Sequence, residues 1–96
     1  MIKHIVCHAI KNPDDAQRAA DMLNALTGRI PTLKNMCAGV DALHSQRSYE
    51  LGIVAEFEDL DALHEYDIHP EHAKIKAFIA SVKDNERPSV AVDFEF

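Results

Sequence analysis

Residues 66–72 of the chain, Tyr-Asp-Ile-His-Pro-Glu-His, bring together one phenol, two imidazoles and two carboxylates around a proline. A histidine that titrates near neutral pH can act as a general base, and a tyrosine hydroxyl can hold a developing oxyanion. Proline suits the first turn of a helix, because the N–H that it lacks would have no helical acceptor there. We therefore expect a helix to begin near Pro70. Its inward stripe at helical spacing contains His72, Ile75, Ile79 and Val82.

Three interpretations of His72 and Tyr66 remain open from the residues alone. In the first, they form an acid–base pair that removes a proton next to a carbonyl. In the second, they are polar groups of a binding pocket without turnover. In the third, His72 satisfies a buried polar cluster and Tyr66 is a core aromatic residue.

A metal site at His69, Glu71 and His72, with His64 nearby, is disfavoured. His69 is expected at the helix cap, where its backbone direction differs from that of His72. The sequence also contains no HExxH or cysteine-rich metal pattern. We therefore expect no metal ligand among these residues.

Composition and charge restrict the class of protein. The 96 residues are expected to form one domain, residues 1–96, and the formal net charge is −6. An acidic surface is a poor partner for nucleic acids and anionic membranes, and no apolar run approaches the length of a membrane span. The first residues lack the basic start and cleavage site of a signal peptide, so a cytoplasmic location is expected. Cys7 and Cys37 are expected to be reduced thiols.

The order of the predicted elements is β-α-β-β-α-β. Strands are predicted over residues 2–10, 33–40, 49–57 and 90–96, and helices over 13–27, 60–66 and 70–82, with Gly28 as the stop of the first helix. This order is the α+β ferredoxin-like pattern, a four-stranded antiparallel sheet of order 4-1-3-2 with the helices on one face. In this order the third strand lies between the first, which contains Cys7, and the second, which contains Cys37. The two cysteines are then too far apart for a disulfide.

The sheet face without helices is expected to be apolar, because both faces of the predicted strands carry apolar side chains. In water, such a patch would exceed what a soluble monomer usually exposes. We therefore expect a homodimer in which two sheets face each other across a two-fold axis. The residues expected on this face include Val6, Ile10, Leu51, Ile53 and Phe57.

The chain resembles the stress-responsive A/B barrel (Dabb) domain family along essentially its whole length. The matching pieces are Met1-Ile2-Lys3-His4-Ile5-Val6, Ile30-Pro31, Val54-Ala55-Glu56-Phe57-Glu58-Asp59, His69-Pro70-Glu71-His72 and Val92-Asp93-Phe94. Their order and spacing together are more specific than any one piece. The resemblance implies a dimeric α/β barrel with a cavity between the sheet and the helices of each subunit, which binds a small, mostly apolar molecule.

The resemblance also implies roles for single residues. A plant polyketide cyclase of this family performs an intramolecular aldol condensation without a metal or an organic cofactor. Alignment on His-Pro-x-His places its catalytic histidine at His72, its catalytic tyrosine at Tyr66 and the aspartate that orients the histidine at Asp93. Asp93 is therefore expected to hydrogen-bond to His72, on the side of the last strand opposite Val92 and Phe94, which are expected to pack on the helices. No cofactor is expected.

The remaining candidates lie on the first and third strands. His4 and His8 project to the same side as Val6, because side chains two residues apart in a strand share a face. They are pocket residues if this face lines the cavity, and interface or edge residues otherwise. The residues expected to contact a ligand are His4, Val6, His8, Leu51 and Ile53. Two other functions stay open, a cofactor-independent cyclase or lyase and a non-catalytic, stress-linked structural protein.

Overall fold

In a computed structural model that describes residues 1–96, the chain forms a four-stranded sheet and three helices. The elements are β1 (Ile2–His8), α1 (Pro13–Asn24), β2 (Asn35–Val40), β3 (Leu51–Phe57), α2 (Leu60–Asp67), α3 (Pro70–Val82) and β4 (Val90–Glu95). The strand order is β2-β3-β1-β4, and each neighbouring pair is antiparallel. The predicted ferredoxin-like topology is confirmed. None of the helices has the length and apolar content needed to cross a lipid bilayer.

β1 and α1 end two and three residues earlier than predicted. β1 ends at His8, and Ile10 leaves the sheet to form an isolated bridge with Lys83. α1 ends at Asn24 and continues as turns through Gly28, which takes the left-handed φ of +83° that glycine adopts without strain. Leu26 nevertheless remains buried, so the turn keeps the packing that the longer helix was expected to provide.

The last residue of α1 binds the outer edge of β2. Asn24 Nδ2 donates to the Ala38 carbonyl at 2.9 Å, and the Ala38 N–H donates to Asn24 Oδ1 at 2.9 Å. β2 is an edge strand, and its outward backbone groups have no neighbouring strand. The Asn24 side chain supplies both missing partners at this position and fastens α1 to the sheet.

The helices cover the sheet face that contains Leu51, Ile53 and Phe57, whose side chains are at most 5% exposed. The predicted assignment of faces is therefore wrong. The five residues expected on the uncovered face all belong to the core or pack against it, namely Val6, Ile10, Leu51, Ile53 and Phe57. The physical reason is visible in β3, where this face offers two large aliphatic side chains and a phenyl ring. The alternate face of the same strand offers only Gly52, Val54 and Glu56.

The opposite face of the sheet has no helix over it and is still apolar. Val92 and Phe94, which were expected to pack on the helices, lie here and are 52% and 41% exposed. The expectation of an uncovered apolar face is thus met by a different set of residues: Ile5, Cys7, Cys37, Val54, Val90, Val92 and Phe94. The two cysteines are free thiols with β3 between their strands, as predicted.

Candidate functional site

A cavity of about 270 Å³ lies between β1 and α3, on the helix-covered side of the sheet. Its apolar wall consists of Val6, Leu23, Ile53, Ile79 and Ala80. Its polar lining consists of His4, His8, Tyr66, Asp67, His72, Lys76 and Lys83. A cavity that combines an apolar wall with polar groups is the usual form of a small-molecule site.

Most of the residues that the sequence singled out meet in this cavity. His4, Val6, His8, Ile53, Tyr66 and His72 line it. Leu51 does not, because it is fully buried in the core beside Val40 and His8 in the strand register. Asp93 does not line it either, since β4 is the edge strand next to β1 and no helix covers it.

A break between α2 and α3 places Tyr66 and His72 side by side. Pro70 forces the preceding residue out of the helical region, and His69 accordingly has ψ of 137°. His69 is the N-cap of α3, as predicted, and its Nδ1 accepts the Glu71 N–H at 3.1 Å. Tyr66 lies in the last turn of α2 and His72 in the first turn of α3, so the break brings the two rings together.

The Tyr66 and His72 rings are stacked, with centroids 4.1 Å apart and an interplanar angle of 26°. On its other side Tyr66 contacts Phe57 at 5.0 Å between centroids. Tyr66 is only 2% exposed, yet it lines the cavity and its hydroxyl makes no hydrogen bond within the protein. Burial, followed by the charge of Asp67, raises the pKa of Tyr66. The phenol therefore keeps its proton and is available as a hydrogen-bond donor.

The neutral form of His72 is favoured in the folded protein. Burial is the main cause that lowers the pKa of His72, and the nearby Lys76 acts in the same direction. The hydrogen bond from His72 Nδ1 to the Asp67 carbonyl, at 3.3 Å, partly opposes this shift. Because a carbonyl only accepts, Nδ1 carries the proton and Nε2 has the free lone pair.

Asp67 holds the two helices together at the break. Its carboxylate pairs with Lys76 one turn beyond His72, at 2.8 Å, and its carbonyl accepts from His72. The hydrogen bond and charge of Lys76 lower the pKa of Asp67. Asp67 and Lys76 therefore line the cavity as an ion pair with no net charge, and the Asp67 carbonyl orients the His72 ring.

The predicted hydrogen bond between Asp93 and His72 is not formed. Asp93 lies directly opposite His4 in the register of β4 and β1, and its carboxylate pairs with His4 Nδ1. His72 is oriented by Asp67 instead. The reason is the position of Asp93 across the sheet: it shares the helix-covered side with His4 but lies on the edge strand β4, where His4 of β1 is its nearest partner.

His8 lies at the other end of β1 with its own partner. Its Nδ1 is hydrogen-bonded to Ser89 Oγ at 2.6 Å. Burial is the main cause that lowers the pKa of His8, and electrostatic interactions with Lys83 and then His4 act in the same direction. The cavity therefore has two polar ends, one near Tyr66 and His72 and one near His8.

Two lining residues, Lys76 and Lys83, were missed by the sequence reasoning. Both lie on α3 or at its C-cap, four and eleven positions after His72, which is helical spacing on one face. Their charge favoured a solvent-exposed position in the sequence analysis, although the methylene groups of a lysine can line an apolar cavity. No three His, Cys, Asp or Glu side chains lie close enough together to share a metal ion.

The family model of the Stress Responsive A/B Barrel Domain, Dabb, matches residues 2–96. The chain belongs to this family. The resemblance predicted from the sequence motifs is thereby confirmed. No curated protein matches this Dabb sequence.

Solved structures with the same fold include two that are described as dimeric ferredoxin-like proteins. One, from Thermobifida fusca, has a TM-score of 0.83 and 30% identity over 99% of this chain and 90% of that chain. The other, from Jannaschia sp., has a TM-score of 0.81 and 25% identity over 99% of this chain and 98% of that chain. A Dabb family protein from Mesorhizobium loti, with a TM-score of 0.77 and 18% identity over 98% and 94% of the two chains, shares the fold.

The lowered pKa values of His8 and His72 predict a loss of stability in mild acid. Below the ordinary histidine pKa of 6.5 the unfolded chain binds more protons than the folded one, so protonation favours unfolding. The free energy of unfolding should therefore fall as the pH decreases from about 7.5 to about 5.5. Urea titrations over this range should show a smaller fall for His8→Gln/His72→Gln than for the wild type. His64→Gln, which changes an exposed histidine outside the cavity, should keep the wild-type slope; equal slopes in all three proteins would contradict the prediction.

Proposed function

We propose that this Dabb-family protein is a homodimer that binds a small, mostly apolar molecule in the cavity of each subunit. The observation that carries the proposal is the combination of an apolar wall with polar groups that have no partner in the protein. The Tyr66 hydroxyl makes no hydrogen bond and Lys83 makes no ion pair, although both line the cavity. Unsatisfied polar groups in an apolar cavity are costly unless a ligand or water pairs with them.

The size of the cavity limits the ligand. A volume near 270 Å³ corresponds to about nine water molecules at liquid density, so a molecule of roughly ten non-hydrogen atoms fits. Val6, Leu23, Ile53 and Ile79 would contact its apolar part. Tyr66 and His72 would contact a polar group at one end.

The homodimer is supported by the uncovered sheet face and by the two relatives described as dimeric. Val54, Val92 and Phe94 are exposed on this face, and a second copy would remove them from water. The free thiols of Cys7 and Cys37 are typical of a reducing compartment, and we place the dimer in the cytoplasm on this ground.

Val54→Asp should weaken the dimer. An aspartate at this position would bury an unpaired charge between the two sheets, which costs several kcal/mol and should raise the dissociation constant at least ~100-fold. Sedimentation velocity should show a dimer for the wild type and a shift toward monomer for the variant. Leu60→Asp is the matched control, because Leu60 is an exposed aliphatic residue at the start of α2, on the helix-covered side of the sheet. A stable wild-type monomer at micromolar concentration would contradict the homodimer.

Ala80→Phe should block the cavity. Ala80 lines it, whereas Ala77, about one turn earlier on α3, does not. Native mass spectrometry of protein purified from its own host should detect a bound small molecule in the wild type and in Ala77→Phe, and little or none in Ala80→Phe. Equal occupancy in all three proteins would place the molecule elsewhere, and empty wild-type protein would count against ligand binding.

A second function, acid–base catalysis without a cofactor, is favoured by the protonation states at one end of the cavity. His72 is neutral with a free Nε2 lone pair, and Tyr66 keeps its proton beside it. A base and a donor in one cavity can remove a proton next to a carbonyl and hold the enolate oxygen that results. This is the proton transfer that begins an aldol cyclisation.

Exchange of the carbon-bound protons next to the carbonyl of 2-octanone in D₂O, followed by NMR, tests this second function. The wild type should accelerate exchange above the buffer rate, and His72→Gln should lose that acceleration by ~10²–10⁴-fold, the range for general acid–base catalysis. Tyr66→Phe should reduce it while keeping the ring stack. His64→Gln, outside the cavity, should leave it unchanged. A buffer-level rate in the wild type, or an unchanged rate with a lower melting temperature in His72→Gln, would assign His72 a structural role.

A further inference from the structure

We infer that the bound molecule carries a carboxylate and that Lys83 holds this carboxylate at the end of the cavity nearest His8. The inference rests on the proposed binding function and assigns the chemical class of the ligand. It starts from the pairing of the lysines in this acidic protein.

Four of the six lysines form an ion pair with a carboxylate. These are Lys3 with Glu56, Lys34 with Glu58, Lys74 with Glu71 and Lys76 with Asp67. The two others are Lys11 and Lys83. Lys11 is exposed to solvent, where an unpaired ammonium is fully hydrated. Lys83 is half-buried and lines the cavity, so its charge has lost part of its water without gaining a partner.

The acidic groups around Lys83 are occupied elsewhere. Asp84 pairs with Arg87 at 3.6 Å and accepts the Glu86 N–H at 3.0 Å. Glu50 pairs with Arg87 at 2.6 Å and accepts the Ile10 N–H at 2.8 Å. In the cavity itself, Asp67 is the only acidic residue, and it is neutralised by Lys76. The cavity thus contains one uncompensated positive charge in a protein whose net charge is −6.

The backbone holds Lys83 in a fixed place. Lys83 is the C-cap of α3, its N–H donates to the Ile79 carbonyl at 2.9 Å, and it forms a β-bridge with Ile10. The next residue, Asp84, donates its N–H to the Ala9 carbonyl at 2.8 Å. The Lys83 side chain therefore lines the cavity from a rigid junction between α3 and the end of β1, as an anchoring group requires.

The neighbouring polar groups suit a carboxylate. His8 is neutral in the folded protein, and its Nδ1 and the Ser89 hydroxyl already pair with each other. His8 therefore adds no second charge that would require a dianion. A single negative charge on the ligand balances Lys83, and charge-assisted hydrogen bonds of this kind are about twice as strong as neutral ones.

The shape of the cavity then orients the ligand. His72 and Lys83 are eleven residues apart along α3, which corresponds to about 16 Å of helix. Ile79 lies between these two residues on α3, and Val6 lies between His4 and His8 on β1. A ligand with its carboxylate at Lys83 would extend its apolar chain past these residues toward Tyr66.

Isothermal titration of the 96-residue protein with octanoate and with 1-octanol tests the inference. The two probes have the same chain and differ in charge. The wild type should bind octanoate roughly tenfold more tightly than 1-octanol. Lys83→Gln should remove this preference and leave the affinity for 1-octanol unchanged. Lys11→Gln removes the other unpaired lysine and changes the net charge of the protein by the same amount. This variant should keep the full preference for octanoate.

The other outcomes separate the two proposals. If 1-octanol binds the wild type as tightly as octanoate, or if Lys83→Gln keeps the preference, the anion site is refuted while binding in the cavity stands. If Lys11→Gln loses the preference as fully as Lys83→Gln, the effect belongs to net charge and the assignment of Lys83 is refuted. If neither probe binds the wild type, the binding function fails, and the inference fails with it. A melting temperature for Lys83→Gln close to that of the wild type excludes misfolding as the cause.

Discussion

The steric demand of Pro70 on the residue before it is the constraint on which the cavity depends. Because His69 cannot remain helical, the chain that would otherwise form one long helix becomes α2 and α3 with different directions. Tyr66 closes the first of these helices and His72 opens the second, so their rings stack across the break. The ion pair of Asp67 with Lys76 then joins the two helices across the break. One imino acid therefore determines which side chains share the space above β1.

Topology was predictable from the sequence because it depends on the order of elements and on the handedness of their connections. The face of the sheet that the helices cover was not. Alternation divides β1 into the set of His4 and Val6 and the set of Ile5 and Cys7, and both sets are partly apolar. Nothing local in β1 states which set is inside. The covered face is determined by β3, because Ile53 and its neighbours on one face bury more apolar side-chain volume than Val54 on the other.

The candidate site was predictable to the extent that it depends on local spacing. Pro70 and the helical period placed His72 on the inward side, and Tyr66 followed from the short helix before the break. Partners that come from other strands were not predictable in the same way. Asp93 pairs with His4 because of the register of β4 on β1, and this register is a property of the whole sheet. Lys83 was overlooked because a lysine at a helix end usually reaches into water.

The Asn24 side chain at the edge of β2 has a consequence for assembly and aggregation. An edge strand with free backbone groups invites another chain to add a strand, and long edges of this kind seed amyloid-like growth. At Ala38 both backbone groups are already occupied by Asn24, in the middle of the six-residue strand. Continuous strand addition along β2 is therefore interrupted at its centre. Copies of the chain therefore cannot add strand to strand along the whole of β2, whereas two sheets that meet face to face across a two-fold axis form a closed pair.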